Sequence, residues 1–255
     1  MAMKDEVKEQ QQKLKGKSFR EKLGYFWDYY KIHTIVGLFV IFTAGIFIKD
    51  MINSKETAFS AVILNSYGYE MQEDFQADFA AYAGIDMNDY QCLIDASSTL
   101  SLTSMTQLDF AFSQRLAGLV QTNALDAFVS DPAVFQHYAE EMMFRDVREE
   151  LSAEEYKKYE PYFYYIDAAA TEEKNAMDEN TPFDGQINPS ASLTDPAEPS
   201  AMAEPVPVGI YLESSAKLSE WKCYANMNIT PVFGFVSASA DTGFSHLFLQ
   251  YLTEN

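Results

Sequence analysis

Residues 32–48 read IHTIVGLFVIFTAGIFI, seventeen positions without a formal charge, and no other feature of the chain restricts its fold as much. At about 1.5 Å per residue a helix of that length covers roughly 26 Å, close to the ~30 Å hydrocarbon core of a bilayer. A core helix of a soluble protein would show a polar face, whereas positions 36–48 offer only Thr43 and two glycines. Tyr25, Phe26, Trp27, Tyr29 and Tyr30 crowd one flank. Their amphipathic rings suit the headgroup layer, and Lys31 and Lys49 can extend their ammonium groups outward. These seven residues form the expected membrane interface, with 32–48 as a permanent single span of the lipid bilayer. Thirty-one residues precede the segment and the "KDMINSKETAF" that follows it holds no A-x-A site, which argues against a cleaved secretory signal.

Charge sets the expected orientation. Residues 1–33 carry eight basic and five acidic residues, whereas residues 50–255 carry nine basic and thirty-three acidic ones. Basic residues beside a span stay inside, so the N-terminus is expected in the cytoplasm and the large C-terminal part outside the cell membrane. The division is then a cytoplasmic basic arm and aromatic juxtamembrane segment at 1–31, the span at 32–48, a short linker at 49–56 and an extracytoplasmic domain at 57–255. Residues 4–22 lack periodicity and read as a disordered polar arm. Without a basic footprint beyond residue 49, nucleic acid is excluded as a partner of the outer part.

The outer part alternates in pattern. "TAFSAVILNSYGY" at 57–69 is a buried strand ending in a polar turn. Met71, Phe75, Phe79 and Tyr82 follow at helical spacing, with Gly84 as a stop. The pattern repeats with strand "YQCLIDAS" from Tyr90, a helix from a cap at Ser104, and strand "LDAFVSD". Such alternation predicts an α/β fold with a mostly parallel sheet covered by helices. Next comes a helix opened by Asp131 and Pro132 and running through "DPAVFQHYAEEMMFRDVREEL". A second helix starts from the Ser152–Glu155 capping box, and an aromatic strand, "YFYYID", follows. Residues 167–205 are acidic and proline-rich, with too little apolar surface for a core, and read as a surface loop. Strands "VPVGIYLE" and "ITPVFGFVSASA" and the helix "TGFSHLFLQYL" complete the domain.

The stretch "LDAFVSDPAVFQHYAEEMMFRDVREELSAEEYKKYEPYFYYID" resembles a section of extracytoplasmic solute-binding proteins of the type II periplasmic-binding fold. "PVFGFVSASADTGFSHLFLQYL" is similar to their last strand and helix. The opening, with its basic arm, "FWDYYKIH" and one span, resembles membrane-anchored proteins of Gram-positive anaerobes. The resemblance implies one lobe of such a binding protein. Only seventy-four residues, 132–205, stand where a second lobe would be built, which removes the clamp that buries a solute.

Candidate ligand or partner residues are those at the carboxyl ends of the parallel strands, where crossovers to opposite faces leave a crevice. They are Asn65, Ser66 and Tyr67, then Ser97, Ser98 and Thr99, then Ser130 and Asp131. The same residue types also serve as turn formers and helix caps. Ser214 and Lys217 have the S-x-x-K spacing of acylating enzymes, but the S-D-N and K-T-G partners are missing. No H-E-x-x-H, G-x-S-x-G or P-loop occurs, so no catalytic residue, cofactor or metal is expected. Cys92 and Cys223 can pair or remain as buried thiols. Two functions fit these features: a membrane-tethered interaction module with a membrane-protein partner, such as a transport complex, or a receptor for a small polar solute at the strand ends.

Overall fold

The computed structural model describes residues 18–53, 55–178 and 195–254. The chain divides into two units, Met1–Ser54 and Lys55–Asn255. In the first, helix α1 (Phe19–Asn53) contains an apolar stretch, Lys31–Lys49, of mean hydropathy 2.0 and none of it buried. It is long and apolar enough to cross a membrane. The hydroxyl of Thr43 donates back to the Phe39 carbonyl at 2.8 Å, so the one alcohol in the middle of the stretch is satisfied within the helix. Trp27, Lys31 and Lys49 are exposed, while the side chains of Tyr25, Phe26, Tyr29 and Tyr30 lie outside the described residues. The helix begins at Phe19, inside the segment read as a disordered arm, and runs to Asn53, well into the expected linker.

The second unit is built on a six-stranded sheet in the order β2-β1-β3-β6-β5-β4. The strands are β1 (Glu56–Ile63), β2 (Tyr90–Asp95), β3 (Ala127–Ser130), β4 (Phe163–Asp167), β5 (Pro205–Tyr211) and β6 (Val232–Phe235). β1 pairs in parallel with both β2 and β3, and the pairs β3–β6, β6–β5 and β5–β4 are antiparallel. Four of the six strands therefore point one way; two of the antiparallel pairings arise because β6 enters between β3 and β5, and the third because β4 at the edge also runs against the majority.

Alternation along β1 feeds two cores. Phe59, Ala61 and Ile63 face one, Val62 and Leu64 the other. The first core is closed by α2 (Gln72–Ala83) and α9 (Gly243–Thr253), whose Phe79 and Phe248 rings meet edge to face at 4.8 Å. Gly84 ends α2 in the left-handed region at φ 71°, as its missing Cβ permits. The second core lies under α3 (Gln107–Gln121) and α4 (Pro132–Glu140). There the Phe135 and Phe144 rings stack at 4.2 Å against Gly209 of β5 and Gly234 of β6. Since α2 and α4 cover opposite faces, the connections leaving β1 and β3 diverge, and a crevice is expected between the carboxyl ends of those two strands.

Several expectations are corrected. The cap of α3 is Thr106, in a capping box with Asp109, and not Ser104; Asp109 reaches both the Thr106 and Ser101 amides. The helix expected through 131–151 breaks after Glu140, because Phe144 is drawn to the sheet as a bridge to Val236 and the Arg145 amide donates to the Phe235 carbonyl. A short helix, α5 (Val147–Glu150), resumes before α6 (Ala153–Tyr159), which the Ser152–Glu155 box does cap. The expected loop at 167–205 opens as helix α7 (Ala168–Asp178), whose alanine-rich start favours a helix despite the acidic average. Lys174 of α7 pairs with the buried Glu140, and Asp167 accepts from the Ala203 and Glu204 amides. Most of the remainder, 179–194, lies outside the described residues. The "SSAKLSEWKCYAN" turn holds a short helix, α8 (Ala216–Glu220).

Candidate functional site

The eight strand-end residues do gather at the carboxyl ends of β1, β2 and β3, and most of their polar atoms are spent on one another or on neighbouring loop residues and helix amides. Asn65, at φ 58°, donates from its side chain to the Leu100 carbonyl at 3.0 Å and to Asp131 at 2.9 Å, and accepts from the Leu100 amide at 2.8 Å. Its own amide donates to the Ser98 carbonyl. Asp131 also caps α4 through the Ala133 and Val134 amides. The Ser97 and Ser98 hydroxyls both turn back to Asp95, which Arg115 holds at 2.7 Å. Burial works to raise the Asp95 carboxyl, but these hydrogen bonds prevail and hold it below its ordinary value. Ser66 is fully buried and donates to the Ala96 carbonyl; Ser130 donates to the carbonyl of Asp131. Tyr67 and Thr99 are exposed, Tyr67 at φ 57°.

Sequence reasoning missed the residue that closes the crevice. Tyr224 places its phenol between the ends of β1 and β3, donating to the Leu64 carbonyl at 2.5 Å and lying 3.5 Å from that of Val129. Its amide donates to the Ser66 carbonyl. Burial, followed by the charge of Asp131, pushes this phenol well above its ordinary value, so it stays a protonated donor. The next turn interlocks with it: a Cβ on Gly68 would meet the Cys223 sulfur at 2.5 Å. An aromatic residue in the turn "WKCYAN" was the only signal available.

The closure is made by conformationally costly loops. Among the described residues, eight non-glycine residues have positive φ, and six of them (Asn65, Tyr67, Ser214, Lys222, Tyr224 and Asn226) lie in the two loops that meet here. Beside Tyr224 a cavity of about 410 Å³ opens between Leu212, Ser214, Asn226 and Pro231, with no charged side chain in its lining.

Acylation chemistry is not poised. Lys217 pairs with Asp78 at 3.0 Å and Glu220 at 3.1 Å and lies over the Tyr251 ring. The Asp78 hydrogen bond holds its ammonium above the ordinary value, the reverse of what a lysine base requires. Ser215, not Ser214, caps α8. Cys92 and Cys223 are buried free thiols, pushed by burial to about 12 and about 11. They are poor nucleophiles. Among the described residues no three His, Cys, Asp or Glu side chains group to hold a metal ion.

A second, larger recess lies on the other side of the sheet. It measures about 540 Å³ and runs between α3 and the end of α4, lined by Phe110, Leu116, Ala117, Tyr138, Met142 and Met143. Its lining is mainly apolar and it opens to solvent beside Glu141, whose carboxylate is 3.5 Å from His137. Searches of protein family models, characterised proteins and solved structures return no match to this chain.

Proposed function

We propose that this protein is a membrane-tethered extracytoplasmic docking module, an accessory subunit of a membrane transport complex, with its N-terminus in the cytoplasm and Lys55–Asn255 outside. The observation that carries the reading is the contrast between the two recesses. The strand-end crevice, where an α/β sheet would receive a ligand, is filled by Tyr224, while the apolar groove beside α3 is open. The likeness to one lobe of a type II binding protein fits this use, because Lys55–Asn255 is a single compact unit and a clamp needs two bodies and a hinge. The acidic surface suits an exterior facing ions and other proteins.

The orientation is tested on intact cells. Protease added outside is expected to digest the chain beyond residue 50 and to leave the arm before residue 32 protected; protection of the acidic unit would overturn the reading. Docking itself is tested by crosslinking in cells without added solute, which is expected to join the full chain to a membrane protein. A second reading, a receptor for a small neutral polar solute, is favoured by the 410 Å³ cavity among the strained loops. It requires one saturable solute in a calorimetric screen. At a hundredfold over its Kd that solute would add about 2.7 kcal/mol of stability.

A further inference from the structure

The groove beside α3 has the shape of a helix seat. Phe110, Gln114, Ala117 and Gln121 line one wall at steps of four, three and four residues, a single stripe of α3 about 16 Å long. Ala117, in the middle of the stripe, leaves room for another backbone to approach. The opposite wall is Tyr138 and Met142, at the end of α4 and in the turn beyond it.

Met142 separates a working surface from a packing defect. It lies at φ 56°, a conformation glycine and asparagine adopt readily and a methionine does not, and its side chain is 70% exposed. Selection for stability alone would remove both the strain and the exposed apolar group; their coincidence at the rim of an apolar groove is expected where the side chain is used. Met105 and Met143 also line the groove, and unbranched, polarizable side chains of this kind mould to helices.

Charge selects the occupant. Residues 50–255 hold thirty-three acidic against nine basic residues, and Glu141 is the one carboxylate in a lining that has no lysine or arginine. An incoming helix would therefore gain from basic flanks and lose from acidic ones. We propose that this groove seats an amphipathic α-helix of a partner protein, apolar on one face and bordered by lysine or arginine. The proposal rests on the docking reading and adds the place and the chemistry of the contact.

The test uses the full chain. A photoreactive benzoylphenylalanine is placed at Gln114 in the groove or at Lys157, exposed on α6. Irradiation of cells is expected to give an adduct from position 114 whose partner peptide maps to an amphipathic basic helix. With full chain in neutral-lipid nanodiscs, and empty nanodiscs as blank, an eighteen-residue leucine/lysine helix should shift the methyl resonances of Met105, Met142 and Met143 saturably. Its leucine/glutamate counterpart should bind at least tenfold more weakly. Met142→Asn should also weaken binding at least tenfold while the melting temperature holds or rises, which a structural role for Met142 would not produce. Adducts from 157 with none from 114 would retain docking and overturn the groove. An adduct from 114 to lipid or to an acidic or non-helical segment, equal binding of the two peptides, or unchanged binding by Met142→Asn would also overturn it. No protein adduct from either position would remove the docking reading as well.

Discussion

Replacing Tyr224 with alanine is expected to cost about 3–5 kcal/mol, the usual range for emptying a buried aromatic site. The ring fills the crevice between β1 and β3, and its loss leaves the Leu64 carbonyl without the phenolic donor now 2.5 Å away. Tyr224→Phe separates the two contributions: it keeps the ring and removes the donor, so a loss of about 1–3 kcal/mol is expected. The vacated site should accept a small phenol. Millimolar p-cresol is therefore expected to raise the melting temperature of the alanine variant while leaving the native chain unchanged. A Tyr224→Phe variant as stable as the native protein, or an alanine variant indifferent to p-cresol, would mean that the phenol does not close the crevice in solution.

Gly209→Ala is expected to destabilise the Lys55–Asn255 unit by about 1–3 kcal/mol, the range for overpacking, with the effect at the upper end. A Cβ there would lie 2.6 Å from Cζ of Phe135 and 2.8 Å from Cγ1 of Val232. Neither neighbour can yield freely, since Phe135 is fully buried and stacked on Phe144, and Val232 is fully buried within β6. Combining Gly209→Ala with Phe135→Leu should cost less than the two separate losses added together, because the leucine vacates the space the new methyl needs. Chemical denaturation of the four proteins in one detergent measures the cycle, and strict additivity would show that the glycine and the ring do not meet.

Much of the scaffold was legible from residue type. Runs such as "AFSAVIL" and "VFGF" announced strands, and Asp131–Pro132 and Ser152–Glu155 announced helix starts, because both signals are local. What the sequence did not reveal depends on partners far along the chain. The break after Glu140 follows from the pairing of Phe144 with Val236, some ninety residues away. Tyr224 caps a strand 160 residues before it, in a left-handed conformation that nothing about a tyrosine foretells. The strand-end residues do lie at the ends of β1, β2 and β3, but whether Asn65 and Asp131 face a ligand or each other is a matter of angstroms that spacing cannot express. A glycine inside a strand does signal a close approach, and Gly209 and Gly234 carry that signal; only the packing identifies Phe135 and Phe144 as what approaches.

The position of β6 bears on how the protein is made. Ser130 pairs with Val232, so β3 is synthesised about a hundred residues before the neighbour that completes it. Until β6 slots between β3 and β5, each of those strands presents a bare edge, and no strand pairing joins the two halves of the sheet. A nascent chain would meet this interval while emerging from the ribosome, with aggregation-prone edges and an incomplete core. Folding of the Lys55–Asn255 unit is thus a late event, completed only after β6 is free to enter.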